Sequence, residues 1–556
     1  MPLGSHPLPP ATTPWSATPR IALADASSLV SSTRFTRVSE RGAVTGGLAA
    51  VDLDHDGDLD LVATQHDGPL VALRNDGGLV FSDWPDALPA IDATTSLALF
   101  DVEGDGDLDL FIGRDGGAVI LRDDGGAGWR DVTAACGLAI GGYVTGAVAA
   151  DFDRDGWLDL YVLRYDELDT HTIPPGLPNE LWVGAGGGML RRATTSPGGV
   201  EPDVGASLAA SASDLDDDGW IDLVVANDFG PVDRPLQIWR GLGPNAAGDP
   251  AFEEVAAKWG VEARVFGMGL ALDDLDGDGR IDIYVTNEAN NALFVRGAGG
   301  GFVERARELG AACGHFPDPD PAPAAPPVFR DFGPKSENPR PEVVDFVARW
   351  AEPELGQWTL TSWAPIAFDA EADGDLDLLV TNGFVNFGTA VPEGRGQPSC
   401  FLQSHAGKLA PGAESVDDIV RDLRGAARGA VVADLDSDGD DDLAWIQNGY
   451  GYDGDPGVRV LENASVAGAV LDVHLVGSGA NPFAIGARIT IVRGDRRLVR
   501  DLRTDTGYAS AAPPRTRFGL GAADHVDAIE VRWPSGARTA IGPTSAASPV
   551  TIHERE

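Results

Sequence analysis

The sequence predicts an all-β protein in which a seven-bladed β-propeller is followed by a small β-sandwich-like domain. An acidic ten-residue segment occurs seven times, each time between runs that alternate like β-strands. The copies start 49 to 95 residues apart, a spacing typical of propellers and solenoids. Each repeat divides into four short strands, which is the content of one propeller blade.

The acidic segment has the pattern of a loop with fixed and free positions. Its first copy, DLDHDGDLDL, begins at Asp52. Every copy has Asp at positions five and nine, Gly at position six, and Asp or Glu at position three. Position seven varies and includes Trp and Arg, so a ligand there has to be the backbone carbonyl. Alternating carboxylates on a sharply turned loop match the oxygen ligands that Ca²⁺ requires.

The predicted ligands of each ion are the side chains at positions one, three, five and nine and the carbonyl at position seven. Up to seven Ca²⁺ ions would be bound in this way, one in each loop. In chain order the predicted ligand residues are Asp52, Asp54, Asp56, Asp58, Asp60, Asp101, Glu103, Asp105, Asp107, Asp109, Asp151, Asp153, Asp155, Trp157, Asp159, Asp214, Asp216, Asp218, Trp220, Asp222, Asp274, Asp276, Asp278, Arg280, Asp282, Asp369, Glu371, Asp373, Asp375, Asp377, Asp434, Asp436, Asp438, Asp440 and Asp442.

An EF-hand is the obvious competing interpretation, because its loop also opens with alternating Asp residues and a Gly. An EF-hand needs Glu at position twelve on a helix. Position twelve is apolar here, from Ala63 to Trp445, and lies in a strand-like run. An acidic turn without metal is credible for one loop. For all seven it is disfavoured, because uncompensated carboxylates repel one another.

Composition narrows the range of functions. The formal net charge is −45, and 34 of the 86 acidic residues lie in the seven loops. So negative a surface argues against nucleic acid as a partner. The cysteines Cys136, Cys313 and Cys400 have no paired spacing and indicate neither a zinc site nor a disulfide framework. No apolar run is long enough for a transmembrane helix, and no signal peptide is visible.

The chain divides into three regions. Residues 1–33 are predicted to be a disordered leader, residues 34–463 the propeller, and residues 464–556 the compact β domain. The seventh repeat lacks a fourth strand, whereas residues 34–38 have the pattern of a fourth strand without a blade. Pairing residues 34–38 with residues 458–461 would close the ring with an N-terminal strand and remove two exposed sheet edges.

Two insertions interrupt the repeats. Residues 313–362 begin Pro-rich and continue with a helical pattern after Pro341, and residues 414–424 show the same pattern. We expect both to contain short helices that pack on the propeller, with a lid over a pocket as the alternative.

The last ninety residues resemble a known domain. They contain Gly-Ala-Arg at residues 486–488, Gly507 followed by Tyr508, Phe-Gly-Leu-Gly at residues 518–521 and Trp-Pro-Ser-Gly at residues 533–536. Together with the acidic loops, these motifs resemble the cartilage acidic protein family, in which a propeller of FG-GAP/VCBS-type repeats precedes an ASPIC/UnbV domain. The resemblance implies calcium binding and an extracellular or periplasmic location, but no agreed chemistry.

Three functions fit these observations. The first is a calcium-binding scaffold or binding module, a monomer whose partner is a protein, a glycan or a small molecule. The second is a calcium-dependent enzyme (a lyase, hydrolase or cyclase, as in natural-product biosynthesis) with its site in the propeller funnel. No catalytic motif supports it, and lone loop histidines are usually solvated. Its candidate residues are His66, Tyr165, His171, His315, His405 and Tyr450. The third is adhesion, by likeness to integrin-type propellers.

Overall fold

The described residues of the protein consist almost entirely of β-strands. In the computed structural model these residues are 21–32, 34–36, 44–165, 177–194, 204–230, 234–261, 263–288, 290–313, 315–317, 357–383, 396–411, 424–449, 455–465, 468–514 and 517–555. Two single-turn α-helices, Ala256–Trp259 and Ala306–Leu309, follow strands of the repeats. Two 3-10 turns span Ser27–Leu29 and Gly125–Ala127.

Seven antiparallel sheets share one plan, and we number them 1 to 7 in the order of their acidic loops (loops 1 to 7). The first strand of each sheet leads into the acidic loop, the second leaves it, and the third follows. The fourth strand comes next along the chain in sheets 1 to 6, whereas in sheet 7 it comes from the N-terminal part of the chain. The strands are Leu48–Val51, Asp60–Ala63, Val71–Asn75 and Phe81–Asp83 in sheet 1; Thr94–Phe100, Asp109–Arg114, Gly117–Asp123 and Trp129–Asp131 in sheet 2; Tyr143–Ala150, Asp159–Tyr165, Glu180–Gly184 and Leu190–Arg192 in sheet 3; Val204–Ser213, Asp222–Asp228, Gln237–Pro244 and Pro250–Glu254 in sheet 4; Leu270–Asp273, Asp282–Val285, Ala292–Arg296 and Phe302–Glu304 in sheet 5; Ser362–Phe368, Asp377–Asn382, Cys400–His405 and Lys408–Pro411 in sheet 6; Ala427–Ala433, Asp442–Gln447, Gly457–Asn463 and Leu23–Asp25 in sheet 7.

Composition explains how the sheets pack. The second strands are rich in Leu, Val and Ile and are buried along their length, as in Asp222–Asp228, so both of their faces contact apolar neighbours. The first strands are rich in Ala, Gly and Ser, as in Val204–Ser213, and small side chains let neighbouring backbones approach closely. The first strands lie side by side in chain order, and that of sheet 7 contacts that of sheet 1.

An N-terminal strand completes sheet 7, but it is not the predicted one. Leu23–Asp25 pairs antiparallel with the third strand of that sheet, with Leu23 opposite Asn463. Residues 34–36, part of the predicted strand, form no strand; the Thr36 N–H instead donates to Gln65 Oε1 of sheet 1 at 2.6 Å. The prediction of a disordered leader is therefore wrong for residues 21–32. Leu23–Asp25 forms the fourth strand of sheet 7 because it buries apolar side chains such as that of Leu23.

Further short strands attach to these sheets. Val30–Ser31 pairs in parallel with the fourth strand of sheet 1, and Leu177–Pro178 pairs with the first strand of sheet 4. At the base of the first insertion, His315–Pro317 pairs antiparallel with Gln357–Thr359. The helices predicted within the two insertions fall almost entirely on segments outside the described residues.

A disulfide joins Cys313 to Cys400, which the cysteine spacing did not indicate. Cys313 follows the fourth strand of sheet 5, and Cys400 begins the third strand of sheet 6. The pairing depends on the packing of adjacent sheets, so sequence spacing carries no signal for it. Cys136 is buried and has a free thiol.

We expect the double variant Cys313→Ser/Cys400→Ser to lose about 4 kcal/mol of unfolding free energy, because the bond restricts a long loop of the unfolded chain. Denaturant unfolding of the oxidised wild type and the double variant measures the loss. Reducing the wild type should reproduce this shift, and reductant should leave the double variant unchanged. Equal unfolding midpoints for the oxidised and reduced wild type would contradict the prediction.

The tail domain, residues 464–556, contains two main sheets that share one apolar core. Leu471, Ile489, Phe518 and Val531 are among the buried residues of that core. The strands of the two sheets are Ala469–Val476, Arg517–Gly521 and Val550–His553, and Arg488–Arg493, Arg496–Asp501, Ala528–Arg532 and Arg538–Ile541. The remaining strands are Asp505–Thr506, Ser510–Ala511, His525–Val526 and Thr544–Ser545.

One part of the tail domain leaves its own core and enters the centre of the propeller-like array. Residues 503–512, which we call the central segment, lie among the first strands of the sheets. Ala511 pairs in parallel with Ala49 of sheet 1. The Leu97 N–H of sheet 2 donates to Ala509 O at 2.9 Å.

The central segment also reaches the other sheets. The Leu270 N–H of sheet 5 donates to Gly507 O at 2.9 Å. Ser211 Oγ of sheet 4 donates to Asp505 Oδ2 at 2.7 Å, and Thr506 Oγ1 donates to Ala430 O of sheet 7 at 2.9 Å.

The sequence predicts a tail domain that is compact by itself. That prediction is wrong for the central segment, which packs among the first strands of the sheets. The first strands present N–H and C=O groups toward the centre, and the central segment supplies partners for several of them.

Candidate calcium sites

All seven acidic loops fold in the same way. In every loop the glycine N–H at position six donates to the carboxylate at position one, as from Gly57 to Asp52 at 3.1 Å. These glycines have φ between 87° and 101°, a conformation that side chains rarely adopt. The N–H at position seven donates to the carboxylate at position five, as from Trp157 to Asp155 at 2.9 Å. The turn therefore gathers the carboxylates of positions one and five at one side.

Position nine fastens each loop to its sheet. One oxygen of its carboxylate accepts the N–H of position two, and the other accepts an N–H of the third strand. For Asp60 these donors are Leu53 at 3.0 Å and Asn75 at 2.8 Å. The same pair of hydrogen bonds recurs in loops 2 to 7. The sequence shows Asp at this position; the structure adds that it joins the loop to the third strand.

The carboxylates converge closely enough to share an ion. Candidate ligand oxygens lie within 4.8 Å of one another in Asp52, Asp54 and Asp56 of loop 1. The same holds for Asp151, Asp153 and Asp159 of loop 3. Further groups are Asp101, Glu103 and Asp109; Asp214, Asp216 and Asp218; and Asp373, Asp375 and His405. The last group adds His405, which the ligand prediction did not include.

Buried oxygens without partners test whether a cation fits. Such oxygens occur on carboxylates of six loops, all at predicted ligand residues: Asp58, Glu103, Asp214, Asp276, Glu371, Asp434 and Asp440. A buried oxygen without a partner is costly, and oxygen ligands from carboxylates are what a hard cation takes. The residues present therefore fit Ca²⁺.

Electrostatics point the same way. Burial, with the charges of Asp54 and Asp58, raises the pKa of Asp60 to about 7. Burial likewise raises the pKa of Asp109 to about 9 and that of Asp282 to about 8. The raised pKa values mean that desolvation and mutual repulsion destabilise the ionised carboxylates of the loops. A bound divalent cation would offset both effects.

The tail domain lies on the face that carries the loops. Its Gly521 N–H donates to Ala372 O of loop 6 at 2.8 Å. Its Arg496 forms an ion pair with Asp375 of loop 6, and its Arg517 lies 3.8 Å from Asp434 of loop 7. Arginines of the tail domain thus contact loops 6 and 7, and Arg532 of the same domain forms an ion pair with Asp214 of loop 4.

Two of the described candidates for an enzymatic site lie near each other, because the Tyr143 ring is 6.2 Å from that of His66 and 6.5 Å from that of Tyr165. The central segment fills the centre of the sheets, where that site was expected. His66 stacks on Tyr143 and lies 3.3 Å from Asp115. The buried Tyr165 hydroxyl donates to Asp228 Oδ2 at 2.8 Å.

Of the remaining candidates, the structure describes the side-chain surroundings of His405 alone. His405 lies at loop 6, next to Asp373 and Asp375. His171 and Tyr450 lie outside the described residues, and so does the side-chain environment of His315.

The fold and the loops together define an all-β, propeller-like repeat protein. An FG-GAP-like repeat model matches residues 52–112, 101–162 and 214–285, and an ASPIC and UnbV model matches residues 477–556. The chain therefore contains FG-GAP-like repeats followed by a C-terminal ASPIC/UnbV domain, the architecture of the cartilage acidic protein family that its motifs resemble. A search among curated proteins finds no match.

Solved structures with a similar arrangement include three from different organisms. A lectin from Agrocybe aegerita that recognises non-reducing terminal N-acetylglucosamine is 15% identical, with 68% of this chain and 80% of the lectin covered and a TM-score of 0.36. The V. cholerae biofilm matrix protein Bap1 is 10% identical, with 84% and 85% covered and a TM-score of 0.33. PorZ of Porphyromonas gingivalis is 10% identical, with 89% and 58% covered and a TM-score of 0.37. What these proteins bind is a property of each of them alone.

Among the described residues, no helix has the length and apolarity needed to cross a membrane.

Proposed function

We propose that this protein is a calcium-stabilised, seven-bladed propeller that acts as a binding or scaffold module for a protein or glycan partner. The observation that carries the proposal is the identical hydrogen-bond geometry of all seven acidic loops, with partnerless buried oxygens on six of them. The contact between the first strands of sheets 7 and 1 supports a closed ring. Each ion would join the first, second and third strands of one sheet through its loop.

The tail domain limits where a partner can bind. It contacts the face that carries the acidic loops at loops 4, 6 and 7, and its central segment lies among the first strands of the sheets. A partner would therefore bind on the opposite face or on the outer rim. The Cys313–Cys400 disulfide favours an oxidising compartment, in line with an extracellular or periplasmic location.

Isothermal titration of chelator-stripped protein with CaCl₂ tests the metal sites. Loop 3 is a clean target, because its carboxylates, like those of loop 1, form no ion pair with any cationic side chain in the described part of the chain. We expect Asp153→Asn, which replaces a carboxylate that is only 8% exposed, to remove one binding site. The matched control is Asp86→Asn, at an exposed position outside the loops. Absence of any calcium-binding heat in the wild type would overturn the proposal.

A further inference from the structure

Loop 4 differs from the other loops in the number of arginines that contact it. We infer that arginine side chains stabilise loop 4 in place of Ca²⁺, and that the ion pairs of this loop join the tail domain to the propeller. The inference rests on the proposed function for the other loops, and it reduces the number of calcium sites below seven.

The first contribution comes from sheet 4 itself. Arg240, on the third strand, reaches across the loop and contacts two of the predicted ligands. Its Nε lies 2.6 Å from Asp216 Oδ2, and its Nη2 forms an ion pair with Asp218. The Arg240 guanidinium group thus bridges the carboxylates of positions three and five, both of which are predicted ligands.

The second contribution comes from the tail domain and from sheet 5. Arg532 forms an ion pair with Asp214, the carboxylate of position one. Arg488 donates from Nη1 to Asp217 Oδ1 at 2.7 Å and from Nη2 to Asp214 O at 2.9 Å. Arg296 of sheet 5 pairs with the other oxygen of Asp217 at 2.9 Å.

Burial and further hydrogen bonds fix the position of Arg488 at loop 4. Arg488 is 8% exposed, and its guanidinium also makes a two-pronged contact with Asp501 of the tail domain at 2.6 and 2.8 Å. Although burial alone would raise it, the Arg488 guanidinium lowers the pKa of Asp501 to about 2. Asp501 also accepts a hydrogen bond from Ser213 Oγ at 2.6 Å, at the end of the strand that enters loop 4.

Charge decides between an ion and the arginines. Four arginines contact the carboxylates at positions one, three, four and five of loop 4, and they offset most of its negative charge without metal: Arg532, Arg240, Arg488 and Arg296. Among the described residues of loop 4, the Asp214 Oδ1 atom has no hydrogen-bond partner, and one water suffices to satisfy it. A divalent ion would also be repelled by the guanidinium groups.

Loop 3 gives the contrast. It has the same sequence pattern, including Trp at position seven, but its carboxylates form no such ion pairs within the described residues. Its Arg154 points away to sheet 4, where it lies over the Trp220 ring at 3.9 Å. The two loops therefore form a matched pair that differs in arginine contacts.

Terbium luminescence tests the inference. Tb³⁺ takes the oxygen ligands of Ca²⁺, and an adjacent indole sensitises its emission. Only loops 3 and 4 have Trp at position seven, whose own carbonyl is the predicted ligand. We expect Trp157→Phe to lower the emission of Tb³⁺-loaded full-length protein about twofold, because it removes the indole at an ion-binding loop. Trp220→Phe should leave the emission unchanged.

The arginines are then removed. In an Arg240→Gln/Arg532→Gln background we expect added emission that Trp220→Phe abolishes, since loop 4 is then free to take an ion. Loss of emission in Trp220→Phe alone, equal to that in Trp157→Phe, would overturn the inference. No effect of Trp157→Phe would instead contradict calcium binding in loop 3; the inference would then stand or fall with Trp220-dependent emission in the arginine double variant.

Discussion

Removing calcium should lower the melting temperature of the wild-type protein by at least about 10 °C. A site filled at a hundred times its dissociation constant contributes about 2.7 kcal/mol, so six such sites contribute about 16 kcal/mol. An unfolding entropy of about 2.1 cal/mol/K per residue amounts to about 1.2 kcal/mol/K for the full chain, so this loss corresponds to about 14 °C. Calorimetry of the protein in EDTA and in excess CaCl₂ measures the difference. Mg²⁺ should not replace Ca²⁺, because it requires a tighter octahedral geometry.

A loop variant should change the sign of its effect with calcium. With Ca²⁺ present, Asp56→Asn removes a ligand from loop 1 and should lower the melting temperature. In EDTA the same variant removes a carboxylate that repels its neighbours, and burial together with Asp56 raises the pKa of Asp58 to about 6. The variant should then match or exceed the wild type in stability. Asp86→Asn is the control, with no effect in either condition. Equal destabilisation by Asp56→Asn in both conditions would contradict a metal site.

Local patterns allowed the acidic loops and the strands on either side of them to be predicted. A turn that needs positive φ at Gly57, carboxylates at fixed spacing and alternating apolar residues are all encoded within about a dozen positions. The same reasoning confirmed the all-β class and the order of repeats and tail domain. The arginine contacts of loop 4 could not be predicted, because Arg296, Arg488 and Arg532 come from distant parts of the chain.

Features that depend on distant pairings were predicted less well. Residues 34–38 have a strand pattern as good as that of Leu23–Asp25, and only the packing of the completed sheet distinguishes them. The Cys313–Cys400 bond follows from the contact of sheets 5 and 6. The central segment carries the Gly507–Tyr508 motif, which was recognised from the family resemblance but had no structural role assigned to it.

The structure gives that motif a role: Gly507 and Tyr508 hold the tail domain in the centre of the sheets. Gly507 has a φ of 48°, and a Cβ there would lie 2.8 Å from Pro365 O. The Tyr508 side chain is 1% exposed, its ring lies 5.0 Å from that of Trp363, and its hydroxyl donates to Val44 O. We therefore expect the tail domain and the propeller to unfold as one cooperative unit.

Tyr508→Ala should lower the unfolding free energy by about 4 kcal/mol, because it leaves a cavity among the first strands. Tyr508→Phe, the matched control, keeps the ring and should cost about 1 kcal/mol, the value of one hydrogen bond. Calorimetry of the full chain in excess CaCl₂ should show one transition in the wild type and one, shifted as a whole, in Tyr508→Ala. The opposite result would be a separate tail-domain transition that moves while the propeller transition stays in place. In that case the central segment would be an attachment that the sheets do not need, since a segment that lies among the first strands must transmit its loss to every sheet it contacts.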